Sequence, residues 1–126
     1  MNPHPGDAHP ASKMDECINN CELCHRTCTV TLGYCLSQGG QHAEQAHIRL
    51  LLDCIQICQT SADFMLRGST LHGLTCGVCA EVCRRCAEDC ERFGTGDFQM
   101  QQCALMCWQC SRSCQEMADM MHSTSG

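Results

Sequence analysis

The sequence predicts an all-α protein, an up-down-up-down antiparallel four-helix bundle with a cysteine-lined core. Three observations carry this prediction. Four segments of roughly twenty to twenty-five residues place apolar residues and cysteines at steps of three and four, the helical period. Their junctions are about four residues long and contain glycine, short enough to force successive helices to run antiparallel. All sixteen cysteines fall on one stripe of each segment, at the alternating positions that face the inside of a bundle.

The elements follow in order. Residues 1–11 hold all three prolines, Pro3, Pro5 and Pro10, with Gly6, His4 and His9. Such a composition buries too little apolar area to order itself, so it is read as a tail preceding a single domain over residues 12–122. Ser12, with Asp15 and Glu16 close behind, opens the first helix, which runs from about Lys13 to Leu36 and stops at Gly39-Gly40. Its inward register is Met14, Cys17, Cys21, Cys24, Cys28, Thr31 and Cys35. No glycine or proline interrupts residues 41–66, where His47, Leu51, Cys54, Cys58, Ser61 and Met65 mark a second helix. Arg67-Gly68-Ser69-Thr70 breaks it and offers capping side chains. A third helix then carries His72, Cys76, Cys79, Cys83, Cys86, Cys90 and Phe93, with Gly73 and Gly77 weakening its first turns. Gly94-Thr95-Gly96-Asp97 supplies the last break, with Asp97 as cap. The fourth helix, reaching about His122, carries Met100, Cys103, Cys107, Cys110, Cys114, Met117 and Met121. The last four residues read as a frayed end.

Composition narrows the function. A chain of 126 residues with net charge −6 and no basic run lacks the footprint that nucleic acid or an anionic membrane surface needs. The N-terminus has neither a charged start nor an apolar stretch of the secretory kind, and no segment is apolar enough to span a bilayer. The expected compartment is cytoplasmic, where thiols stay reduced. No Ser/His/Asp order, phosphate-cradling glycine loop or paired carboxylates suggest an enzyme.

What remains is the sulfur. As mere small hydrophobes, sixteen thiols are a poor choice, since leucine, isoleucine and valine fill a bundle better without the oxidation hazard. A disulfide framework suits secreted chains, and bridging cysteines stacked along one helix distorts it. Structural zinc wants closed sets of four ligands on loops that converge, whereas these cysteines lie inside continuous helices. The runs typical of iron–sulfur ligation are absent. Copper(I) is soft, prefers thiolates and thioethers, and accepts two or three ligands. Pairs four residues apart, Cys17/Cys21, Cys24/Cys28, Cys54/Cys58, Cys79/Cys83, Cys86/Cys90, Cys103/Cys107 and Cys110/Cys114, suit it on single helical faces. One ion per pair gives roughly eight and leaves a negative charge at each site in the core, whereas thiolates that bridge roughly sixteen ions leave it neutral. Filling toward the higher figure is expected, with release of thiol protons. Two rivals stay open. One is a metallothionein-like buffer for zinc or cadmium. The other is a thiol redox protein using Cys76/Cys79 or Cys21/Cys24.

The bundle end shared by the start of helices 1 and 3 and the finish of helices 2 and 4 collects Met14, Cys17, Met65, His72, Met117 and Met121. Thioethers and imidazoles exchange copper(I) more readily than thiolates do, so this end is read as the mouth. The opposite end, with Cys35, His47, Leu51, Phe93 and Met100, looks closed. His47 there can ligate or make an ordinary hydrogen bond. His25, His42 and His122 are read as solvated, like His4 and His9, although those two can capture metal weakly.

The runs CINNCELCHRTC, CIQIC, CGVCAEVCRRCAEDC and CALMCWQCSRSC resemble the bacterial copper storage proteins, in particular their cytosolic branch, over residues 12–121. The resemblance implies a bundle whose core holds multiple Cu(I) ions, a homotetramer, and a Met- or His-lined opening; a copper chaperone is a candidate partner, and the sequence does not identify the donor. It maps the core ligands onto the sixteen cysteines and the mouth onto Met65, His72, Met117 and Met121. Leu51 and Ser61 occupy places where the second helix could have carried thiols, so fewer ions are expected along that wall.

Overall fold

The structure, a computed structural model, describes residues 10–124, with the side chains of residues 12–121. Residues 1–9 and the final two lie outside the described residues, and with them most of the expected tail, His4 and His9. The side chain of His122 is also outside.

Four α-helices account for nearly all of it: α1, Pro10–Gln38; α2, Gln45–Leu66; α3, His72–Glu91; and α4, Phe98–Thr124. Each packs on its neighbours in the chain and α1 closes against α4, while the backbones of the diagonal pairs stay apart and only their core side chains meet across the axis. That is the square of an up-down-up-down bundle, as the short junctions require. Among the described residues no helix is long and apolar enough to cross a membrane.

The boundaries differ from the sequence reading where local chemistry overrides pattern. Helix α1 starts at Pro10, not near Ser12. A proline in the first turn sacrifices an N–H that has no helical partner anyway, and its fixed φ suits the helix. The first junction is longer than expected because Gly39 and Gly40 take positive φ and feed a short 3-10 turn over Gly40–Ala43, so that α2 begins at Gln45 and not at Gln41. At the end of α2, Gly68 adopts φ 68°, its N–H bonds to the Met65 carbonyl and the Ser69 N–H to that of Phe64, closing the helix end. Ser69 then accepts the Leu71 N–H on its hydroxyl at 3.1 Å. Asp97 caps α4 as expected, accepting the Met100 N–H at 3.2 Å.

The predicted stripes are the core. Every cysteine is buried, together with Thr31, His47, Leu51, Ser61, Met65, Met100 and Met117, while Met14, His72, Phe93 and Met121 are half-buried at the two ends. Ala62, Ala80, Ala87, Ala104 and Ala118 are buried beside the thiols, and their small side chains let the backbones approach so that short cysteines can meet across the axis.

Candidate metal centre

The thiols form one array along the bundle axis, with Cys35 set apart against His47 and Met100. All sixteen are free and buried. From the α1/α4 side, Cys17 and Cys21 reach Cys114 at 3.5 and 3.4 Å, and Cys21 meets Cys110 at 3.7 Å. In mid-bundle Cys28 lies 3.6 Å from Cys107, 3.7 Å from Cys103 and 3.7 Å from Cys54. On the far wall Cys58 lies 3.5 Å from Cys83 and 3.8 Å from Cys79. The closest contacts thus run between helices. Of the expected pairs along one helix, Cys24/Cys28 at 3.9 Å and Cys79/Cys83 at 3.7 Å come within such reach, because neighbouring thiols on one helix are separated by its own pitch while those of facing helices interdigitate.

Sets of four sulfurs lie within 4.8 Å of one another: Cys21, Cys79, Cys110 and Cys114; Cys24, Cys28, Cys54 and Cys107; Cys24, Cys54, Cys58 and Cys83; Cys28, Cys86, Cys103 and Cys107; and Cys58, Cys79, Cys83 and Cys110. Eight cysteines belong to two of these sets, so neighbouring sets share corners. A shared corner can only serve both sets as a bridging ligand.

Burial and crowding govern the protons. Hydrogen bonds from Cys110 and Cys114 hold the Cys21 thiol down to about 6. Cys103 beside it pushes Cys86 up to about 11, while at Cys76 the contact with Cys114 works downward but is outweighed by Cys17 and burial, leaving it at about 11. Burial, then the charges of Cys103 and Asp97, push Cys35 up to about 12. Thiolates this close cannot all ionise without cations among them.

The two ends differ. At the expected mouth Met65 is buried with its Sδ 3.7 Å from the Cys76 thiol, and Met117 is buried beside the thiols. His72 donates to the Ser69 carbonyl through Nδ1 at 2.8 Å, which leaves Nε2 as the nitrogen open to another partner. Met121 lies over Gly73, where a Cβ would stand 2.1 Å from its Sδ; only glycine admits that approach.

At the opposite end Cys35, His47 and Met100 converge from α1, α2 and α4, the thiol 3.3 Å from His47 Nε2 and 3.6 Å from Met100 Sδ. His47 Nδ1 is engaged by the Asp89 carboxylate, which aims Nε2 at the thiol. Sequence reasoning placed His47 and Met100 on the stripe but did not identify Met100 as a donor or Asp89 as the orienting group; Asp89 reads as an ordinary helix-surface acid until α2 is laid beside α3. Two other histidine readings are corrected. His25 is half-buried and bonds the Ile55 carbonyl at 3.0 Å, tying α1 to α2. His42 is packed against Phe93 and bonds Asp97 at 2.7 Å. Both partners are remote in sequence, so neither was visible in the local pattern.

The geometry agrees with what the chain resembles. Residues 10–119 match the family model described as Copper storage protein. The Nmul_A1745 protein of Nitrosospira multiformis is similar in structure with a TM-score of 0.81 and 41% identity, over 87% of this chain and 98% of that one. The Cu(I)-bound copper storage protein BsCsp3 of Bacillus subtilis gives 0.78 and 29%, over 84% and 98%. The cytosolic copper storage protein of Streptomyces lividans, carrying five coppers, gives 0.78 and 28%, over 85% and 92%. With a model match spanning nearly all the described residues, the chain belongs to the copper storage protein family.

Proposed function

We propose that this protein stores and buffers cytosolic Cu(I), binding many ions to the cysteine thiolates inside the bundle, and acts as a binding protein and not as an enzyme. The observation that carries the reading is the sharing of corners among the four-sulfur sets. Zinc in a closed four-thiolate site keeps two negative charges per site, a heavy burden in a buried core, whereas bridging thiolates matched one to one by monovalent ions are neutral. The buried thiols also speak against a redox enzyme, which needs an accessible nucleophile. Relatives that hold Cu(I) in the same bundle support the same conclusion.

Anaerobic titration of the reduced protein with Cu(I), against a chromogenic chelator, tests it. Saturation near about sixteen ions is expected from one-to-one neutrality. Saturation near about eight would refute the bridging argument, and one or two ions would refute storage. In a protein preloaded with zinc, Cu(I) should displace all of it.

Copper is read as entering at the Met65, His72, Met117 and Met121 end, where half-exposed His72 and Met121 stand outside buried Met65 and Met117. Replacing these four by alanine should slow loading several-fold at similar capacity. Unchanged loading in that variant, with slow loading in His47→Ala, would move the entrance to the Cys35 end. The Cys35, His47 and Met100 convergence supports a separate mixed-donor Cu(I) site there. Assembly as a homotetramer and delivery by a copper chaperone belong to the same reading; sedimentation of the reduced protein tests the former.

A further inference from the structure

The two loops at the Cys35 end are joined through one side chain. The 3-10 turn over Gly40–Ala43 packs on α1 and α2 but not on α3 or α4, and its backbone hydrogen bonds stay within the turn and the helices it joins. Among the side chains of residues 39–44, His42 is the one with a polar partner: it reaches across the bundle end to Asp97 in the α3–α4 loop at 2.7 Å, with Tyr34 in an edge contact against its ring. Beneath it the rings continue inward. The His42 ring centre lies 4.5 Å from that of Phe93, and Phe93 lies 4.9 Å from His47, whose Nε2 meets the Cys35 thiol. The turn leaves α1 through Gly39 and Gly40, both at positive φ with open space where a side chain would stand. A segment tied down at one point beside two adjacent glycines can swing without unwinding either helix.

We propose that this turn is a gate over Cys35, His47 and Met100, clasped shut by His42, and that its swing about Gly39-Gly40 admits small soft ligands, copper(I) among them, to Cys35 without passing the Met65, His72, Met117 and Met121 end. The two ends thus differ in kind. At the far end half-exposed His72 and Met121 stand in the opening, whereas here the imidazole that meets the sulfur lies under two rings. The open fraction is set by the His42 bond to a carboxylate, strong enough that its loss should raise opening about tenfold. Carriage of copper by this route rests on the storage reading; the gate itself does not, and it is tested on metal-free protein.

The reduced, metal-free chain is treated with iodoacetamide under argon, and peptide mapping gives the initial labelling rate at Cys35 and at mid-bundle Cys58. In the wild type Cys35 should label faster than Cys58 and stay nearly flat in dilute urea, because swinging one turn exposes little surface, whereas Cys58 waits on global unfolding and accelerates with urea. His42→Ala should raise Cys35 labelling about tenfold and leave Cys58 unchanged. His42→Gln, which keeps a donor for Asp97, should restore most of the closure. Equal rates and equal urea dependence of the two thiols in the wild type would overturn the proposal without recourse to any variant. So would unchanged Cys35 labelling in His42→Ala, or a parallel rise at Cys35 and Cys58, which would make His42 a support of the whole bundle and not a clasp. Copper titration of the same proteins stands apart from these outcomes: a chain that binds no copper defeats storage, whereas labelling that ignores His42 defeats the gate alone.

Discussion

At the scale of single residues, the thiol stripe was legible because helical period and bundle register are one-dimensional signals. Cys17 through Cys114 could be placed inward one by one. Which thiol meets which was not legible, since Cys21 with Cys114 and Cys58 with Cys83 depend on the stagger of facing helices, and stagger has no local signature. Ser61 shows what the array tolerates. It is fully buried on α2 at a stripe position, and its hydroxyl lies 3.4 Å from the Cys76 thiol. Sulfur is only slightly larger than the oxygen it would replace, so Ser61→Cys adds a ligand at small packing cost. The variant should bind about one more Cu(I) than the parent if each new thiolate brings one ion. Titration of the two proteins side by side measures this, and an identical endpoint would show that capacity is set by space and not by the number of thiolates.

At the scale of elements, the four helices and their breaks followed from glycine placement and periodicity, but the first junction did not. Its geometry is set by a convergence on Asp97 that spans the molecule: besides capping α4, this carboxylate accepts the Tyr34 hydroxyl from α1 at 3.1 Å and binds His42 of the 3-10 turn at 2.7 Å. Burial works to raise its pKa, but His42, the Met100 N–H and Tyr34 together keep it below the usual carboxylate range. Asp97→Ala should therefore cost more than a simple helix cap, about 2 to 3 kcal/mol, since it removes the cap and leaves two half-buried donors without their acceptor. Asp97→Asn, which keeps an acceptor oxygen but loses the charge, should cost about half as much. Urea unfolding of the reduced protein under argon compares them. If alanine and asparagine prove equal, the charge contributes nothing, and if neither is destabilising, the junction is held by packing of His42 on Phe93.

At the scale of the whole molecule, the empty core is a store of protons. Cys35 is held up to about 12, and Cys76 and Cys86 to about 11, against 9.0 for a free thiol. Between those values the unfolded chain has released protons that the native state still binds, so the native state is favoured below pH 9 and loses that advantage as pH rises toward 11 to 12. Each withheld proton steepens the loss by about 1.4 kcal/mol per pH unit. Cys21, held down to about 6, and Cys24, Cys54, Cys79 and Cys103, also held down by hydrogen bonds from neighbouring thiols, act in the opposite direction, but their contribution is complete by about pH 9 and leaves the alkaline window untouched. The apo protein should thus unfold at progressively lower denaturant between pH 9 and 11. Tyr34, whose hydroxyl is shifted upward by burial and by Asp97, adds to the same trend, so the decisive comparison is with copper-loaded protein. There the thiol protons are gone, Tyr34 is unchanged, and the ions add their own binding energy to the folded state. Loaded protein should be far more stable at every pH and nearly flat across the window in which the apo protein weakens. Parallel slopes for the two forms would mean that the core thiols had already lost their protons before any metal arrived, and the account of loading as proton exchange in a crowded sulfur array would fail with them.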